Sequence, residues 1–301
     1  MKQNVTVRVP ATSANLGPGF DCLGMALDIW NSIAVRVGQS GFEVTGEGED
    51  TLPRTKENVV ARCFSIPFEE AGLPVPEASI GCLNEIPLGR GLGSSSAAVV
   101  GGLVAGNEVC ERPLTSERLL ELAASIEGHP DNVAPALLGG CRIVVRDEGG
   151  LTAASVLVPE GLKAVLFIPD VPIPTEQARG LLADTVRRED AVYNIGRAAL
   201  LVRAFATNDM TYMATATEDR LHQPERQAIF PAMRNIIRAA IDAGAAGAFL
   251  SGAGSSVLAL AEGRELTIGY EMADAAAKSG IGGVVKIACP TSRGAHVVED
   301  E

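Results

Sequence analysis

The sequence has no run of 18 consecutive apolar residues. A helix that crosses a bilayer needs about 20, so no membrane span is expected. Its start, Met1 to Val9, alternates apolar and polar residues and lacks the apolar block of a signal peptide. No two of the six cysteines (Cys22, Cys63, Cys82, Cys110, Cys141, Cys289) stand in a Cys-x-x-Cys spacing. That scatter argues against a zinc site and against a disulfide framework, and for reduced thiols in a cytoplasmic enzyme. Positive charge is in deficit: 25 Lys and Arg against 37 Asp and Glu give a net charge of −12. Nucleic acid and anionic membrane surfaces are poor partners for such a chain. Internal repeats and low-complexity tracts are also missing, and no segment has the composition of a disordered region.

What is present is enough apolar material, 47% of 301 residues, to build a substantial core in two lobes. Val5, Val7 and Val9 alternate as in a half-buried strand. Further strands are expected over 28–37, 41–45, 78–83, 141–145, 155–158, 163–168, 248–250, 256–260 and 283–288. Helices are expected from Asn58 to about Ala71, bent or interrupted at Pro67, and from the serines at 94–96 through Ala105. Others are expected over 117–126, capped by Thr115 or Ser116, and over 131–138, 176–183, 189–207, 231–243 and 266–278. Strands cluster early and mix with helices late, the pattern of an α+β protein. The lobes are divided at 158/159, into 1–158 and 159–301.

The run Pro87, Leu88, Gly89, Arg90, Gly91, Leu92, Gly93, Ser94, Ser95, Ser96, Ala97 carries the most chemistry. It joins a strand to a helix. Glycine permits positive φ and close approach of the backbone to a ligand. A helix N-terminus adds free N–H groups and partial positive charge, which together suit phosphate. The run lacks the Lys of a Walker loop and the spacing of a dinucleotide fingerprint. One serine would serve to cap the helix; three invite phosphate or Mg²⁺ as well.

Other polar segments stand beside it. Pro10 to Gly24 is a glycine-rich loop after a strand, in which Asn15 and Asp21 either receive an ammonium group or cap turns. Glu127 to Pro135 offers Glu127, Asp131 and Asn132; a carboxylate there suits Mg²⁺, and Asp131 also suits an N-cap. His129 is given no catalytic part. Thr175 to Arg179 and His222 to Arg226 each supply an arginine suited to a carboxylate. Ser251 to Ser256 is a second glycine-serine loop.

Taken together, Pro10–Asp21, Pro87–Ala97 and Ser251–Ser256 resemble the three motifs of the GHMP small-molecule kinases, and the likeness spans nearly the whole chain. Glu127–Gly140 and Pro174–Arg179 resemble the branch of that family that acts on L-homoserine. The resemblance implies an N-terminal lobe like the second domain of ribosomal protein S5 and a C-terminal ferredoxin-like α/β lobe. It implies transfer of the ATP γ-phosphoryl group to the side-chain hydroxyl of L-homoserine, in threonine biosynthesis, by a cytoplasmic homodimer. ATP and Mg²⁺ are the implied cofactors. Residues 87–97 would cradle the phosphates, with Asn58 and Val60 near the adenine. Ser95, or Ser94, and Glu127 would hold Mg²⁺, with Glu121 as the alternative carboxylate. Asn15, Asp21, Thr175, Arg179, Arg226 and Gly252 would bind the substrate, Asp21 through its ammonium and the arginines through its carboxylate. Asn132 would contact the reacting hydroxyl, and Asp131 is the candidate base.

The alternatives are a kinase of shikimate, mevalonate or a sugar, a non-catalytic sensor of the same fold, and an RNA-binding module. A neutral sugar gives the arginine pair nothing to clamp. A sensor would show damage in the phosphate loop. An RNA module would need a basic stripe.

Overall fold

The computed structural model describes residues 1–298. Val5, Val7 and Val9 all point into the core from β1 (Asn4–Ala14), as the period of two requires. The strand runs on to Ala14, so the first part of the Pro10–Gly24 run is strand and not loop. It pairs with β2 (Leu23–Val37) through a register shift between Pro10 and Ala11. Next come β3 (Gly41–Gly46), α1 (Val59–Glu70) and β4 (Ala78–Asn84); β3 and β4 lie parallel, so the connection must cross over, and α1 makes the crossover. Pro67 does not interrupt α1; it is buried beside Phe64 and Phe68.

Two helices, α2 (Ser94–Val109) and α3 (Ser116–Glu127), precede α4 (Val133–Leu138). Thr115 caps α3 by accepting from the Arg118 amide. The expected cap of α4, Asp131, lies one residue too early: the N-cap position falls to Asn132, whose side chain makes no capping bond. The hairpin of β5 (Cys141–Asp147) and β6 (Gly150–Val156) follows, the second strand lying earlier than the expected 155–158.

The second half holds β7 (Lys163–Pro169), α5 (Thr175–Arg179), α6 (Arg188–Thr207), α7 (Met213–Ala216), α8 (Gln223–Arg226), α9 (Met233–Asp242), β8 (Gly247–Leu250), β9 (Val257–Ala261), α10 (Glu265–Lys278) and β10 (Gly283–Ala288). Gly180 ends α5 well short of the expected residue 183. The short helices α7 and α8 and the last strand, β11 (His296–Val298), carry too few residues to show a period, and the sequence did not announce them.

One sheet has the order β11-β1-β2-β4-β3, with β5 on β2 and β6 on β5; the other has the order β10-β7-β9-β8. In the second sheet the strands run in chain order 4-1-3-2, all antiparallel, which is the ferredoxin-like arrangement. The tail returns to the first sheet, where β11 pairs with β1. Alternate residues of β7 serve two cores: Ala164, Leu166 and Ile168 face the large core shared with the first sheet. Val165 and Phe167 face α9 and α10.

The helix α2 is buried on nearly every side, and its small residues make that possible. A Cβ at Gly102 would sit 2.6 Å from the Val60 carbonyl oxygen, and one at Gly106 would sit 2.2 Å from that of Phe64. Backbone-to-backbone packing against α1 therefore fixes where the N-terminus of α2 points, which is into the cleft between the two sheets.

Candidate active site

The cleft has a volume of about 140 Å³ and is lined by the glycine loop, the first and third motifs, Glu127 to Asn132, and the arginines of α5 and α8. Pockets for drug-sized ligands run roughly 300–1,000 Å³, so this cavity suits a ligand group well below that size.

The glycine loop is held by its carbonyls. Gly89 O accepts from the Ile173 amide, Arg90 O from the Ser256 amide, Gly91 O from the Ser251 hydroxyl, and Leu92 O from the Thr12 amide. The amides of Gly89, Gly91, Gly93, Ser94 and Ser95 donate to no acceptor among the described residues. Carbonyls bound outward and amides left over is the arrangement of an anion nest. Gly89, Gly91 and Gly93 all have positive φ, and a Cβ on Gly91 would sit 2.1 Å from Ser251 O. No serine caps α2: Gly93 occupies the N-cap position without a side-chain bond. The first turn of the helix is thus open to a ligand.

The serines instead meet a carboxylate. Ser95 Oγ and Ser96 Oγ donate to Glu127 Oε1 and Oε2, each at 2.6 Å. Ser96, and not Ser94, is the second hydroxyl at this point. Glu121 lies elsewhere: it pairs with Arg146 and accepts from the Leu151 amide. Among the described residues no group of three or more His, Cys, Asp or Glu side chains is placed to hold a metal ion. Two hydroxyls and one carboxylate are nevertheless hard oxygen donors, and Mg²⁺ commonly takes one or two carboxylates and completes its shell with water and phosphate. The donor set fits that ion.

Across the cleft, Arg179 binds Asp21 through both arms, Nη2 to Oδ1 at 2.6 Å and Nη1 to Oδ2 at 3.1 Å. Arg226 is 2% exposed, and its Nη1 donates to Gly252 O and to His222 Nδ1. Burial, with Arg179 nearby, lowers the pKa of Arg226 to about 10, still cationic at neutral pH. The Phe20 ring stands 5.7 Å from the Arg179 guanidinium carbon and 5.8 Å from that of Arg226; its face attracts both cations. Thr175, first residue of α5, borders the same cleft.

Asn132 Oδ1 accepts from the Thr12 hydroxyl at 2.8 Å, which leaves the amide Nδ2 to donate into the cleft. Asp131, nearly fully buried, takes a 2.8 Å hydrogen bond from His129 Nδ1. Burial disfavours the charged form of His129, but the hydrogen bond and charge of Asp131 outweigh it and its pKa is raised.

Some expected residues stand differently. Asn58 and Val60 do not line this cleft. Asn58 spends its amide on capping α1 and on Pro53 O, and Val60 is buried against α2. Asn15 borders the cleft, but both ends of its amide bind backbone: Nδ2 donates to Gly252 O, and Oδ1 accepts from the Asp21 amide. It ties the first motif to the third. Arg90 turns its guanidinium away from the nest, onto the carbonyls of Leu88, Pro169 and Asp170. Thr12, Phe20 and His222 carried no expected role, and His129 was given no catalytic part. All four lie inside the runs already singled out, and that position was the one available signal.

The comparisons agree on one family. A model of the GHMP kinases N terminal domain matches residues 58–140, and one of the GHMP kinases C terminal matches residues 201–278. A homoserine kinase of Moorella thermoacetica is 43% identical over 97% of this chain and 99% of its own length. One of Desulfitobacterium hafniense is 41% identical over 98% of this chain and 100% of its own. The crystal structure of homoserine kinase from Cytophaga hutchinsonii superposes with a TM-score of 0.88 at 30% identity, covering 99% of this chain and 98% of that one.

Proposed function

Because the chain belongs to the homoserine kinases of the GHMP kinase family, we infer that its reaction is transfer of the ATP γ-phosphoryl group to the side-chain hydroxyl of L-homoserine, a step of threonine biosynthesis. One observation carries the assignment of roles: a nest of unpaired amides faces, across one small cleft, a carboxylate and two arginines. The first suits polyphosphate; the second suits the zwitterionic end of an amino acid.

Residues 87–97 take the phosphates on their free amides, with the dipole of α2 adding to the field. Ser95 and Glu127 hold Mg²⁺, which when bound offsets charge on the transferring phosphoryl group. Asp21 takes the substrate ammonium. Arg179, Arg226 and Thr175 take its carboxylate, with Gly252 and Asn15 shaping the wall. Asn132 Nδ2 donates to the reacting hydroxyl oxygen and orients it. Asp131 Oδ1 is engaged by His129, so Oδ2 is the atom that would take the hydroxyl proton. Phosphoryl transfer leans on alignment and charge more than on a strong base.

The proposal extends to a cytoplasmic homodimer with lobes divided at 158/159. All six cysteines are free thiols, as a reducing compartment expects. The deciding assay is ADP release with Mg²⁺-ATP and L-homoserine, shikimate, mevalonate or galactose. Turnover with L-homoserine alone, lost in Arg179→Ala and Arg226→Ala, is the expected result. Turnover with another alcohol would remove the arginine assignment, and ATP binding without turnover would favour a sensor.

A further inference from the structure

The guanidinium of Arg226 is held on one side only. Nη1 donates to His222 Nδ1 at 2.9 Å and to Gly252 O at 2.9 Å. Nε is buried without any partner, and Nη2 has none among the described residues. An unpaired buried donor is costly, and in a cleft-lining arginine a bound ligand is one group that would complete it.

His222 decides which side is held. It is fully buried, and its Nε2 lies 2.7 Å from the Gly17 carbonyl oxygen. A carbonyl only accepts, so Nε2 carries a proton; an arginine only donates, so Nδ1 carries none. Both neighbours therefore impose the neutral Nε2–H form. Asp219 stands 3.6 Å from Nε2. Its carboxylate is already engaged by Asn194 Nδ2 and by the amides of Leu221, His222 and Gln223. Burial lowers the pKa of His222; Asp219 opposes this and Arg226 adds to it. Phe20 stacks on the imidazole with centroids 5.4 Å apart, so the ring cannot turn freely.

We propose that His222 is a positioning residue: as a neutral imidazole bridging Gly17 and Arg226, it fixes the Nη1 corner of the guanidinium and presents the Nε–Nη2 edge to the substrate carboxylate. That edge offers two parallel N–H bonds, the side-on geometry that suits a carboxylate. The proposal rests on the reading of Arg226 as the carboxylate clamp. It also explains why this arginine is buried deeply enough to lower its pKa. Water would otherwise occupy the edge meant for the ligand.

Two measurements test it. In ¹⁵N-histidine-labelled wild-type protein, NMR is expected to show His222 as the neutral Nε2–H tautomer from pH 6 to 8. An imidazolium, or the Nδ1–H tautomer, would overturn the proposal without any variant. In steady-state kinetics, His222→Phe keeps the stack and removes the acceptor. Its kcat/KM for L-homoserine is expected to fall roughly tenfold to a hundredfold, the scale of one hydrogen bond to a charged group, with KM for ATP unchanged. Added to Arg226→Ala, the same change is expected to cost nothing more. If Arg226→Ala spares kcat/KM, the clamp reading fails; if it is damaging and His222→Phe is not, or if the two losses add in full, the positioning role alone fails.

Discussion

Asp21 and Arg179 form a two-armed ion pair, at 2.6 and 3.1 Å, that joins the first motif to α5 across 158 positions of sequence. Each side chain is about a third exposed, so the pair adds little to stability, about 1 kcal/mol or less. Its value is in alignment. A carboxylate and a guanidinium side by side present a negative and a positive end to the ammonium and carboxylate of one amino acid.

Asp21→Asn keeps the shape and removes the charge. Its kcat/KM for L-homoserine is expected to fall roughly tenfold to a hundredfold, with little change in KM for ATP. Thermal unfolding should shift by only a few degrees. A large loss of stability with unchanged kinetics would make the pair structural.

Glu127 and Glu121 separate cleanly as metal candidates. Glu127 gathers the hydroxyls of Ser95 and Ser96, whereas Glu121 serves Arg146 and the β6 backbone. Glu127→Gln is expected to raise the Mg²⁺ concentration needed for half-maximal activity by roughly tenfold to a hundredfold, the scale on which metal sites respond to lost partners. Glu121→Gln should leave that midpoint in place. A reversed pattern in the Mg²⁺ titrations would move the site to Glu121.

β1 was legible because alternation records burial directly, as at Val5, Val7 and Val9; β7, β8 and β9, buried on both faces, were legible instead as short continuous apolar runs. The glycine loop was legible because three positive-φ positions in five residues select glycine. The roles within the runs were harder to read. Asn15, Arg90 and Asn58 look like ligand groups in a sequence, yet each spends its donors on backbone carbonyls. Backbone carbonyls carry no side-chain signature, and for Asn15 and Arg90 they also lie far away along the chain. His222 was opaque for the same reason: its meaning depends on Gly17 O, 205 positions away.

Gly91 and Gly93 are expected to tolerate no side chain. A Cβ on Gly91 would meet Ser251 O at 2.1 Å, and one on Gly93 would meet Thr12 Oγ1 at 1.9 Å. Gly38 shares the positive φ but has open space around it. Gly38→Ala should therefore cost only the conformational penalty, about 1 kcal/mol. Gly91→Ala must also push apart the loop and the third motif, and should abolish measurable turnover. Denaturant melts and ADP-release assays on the two variants check this; equal behaviour would show that the loop yields.

His129 and Asp131 give the cleft a pH dependence whose sign is fixed. The Asp131 carboxylate raises the pKa of His129 despite the opposing effect of burial. The folded protein therefore holds this proton more tightly than the unfolded chain, where histidine titrates near about 6.5. The stabilisation is complete below that value and is lost as pH rises through the raised folded value. His222, with its lowered pKa, acts in the opposite sense: its contribution is lost as pH falls through the ordinary histidine range. Comparing wild type with His129→Asn cancels the His222 contribution, which both proteins share. The difference in Tm between them should be largest near about pH 6 and should shrink as pH rises past the ordinary histidine value and through the raised one. The side chains are 12% and 2% exposed, so salt should screen the difference only weakly. A Tm difference that stays flat, or grows with pH, would mean that Asp131 does not hold His129 in its charged form.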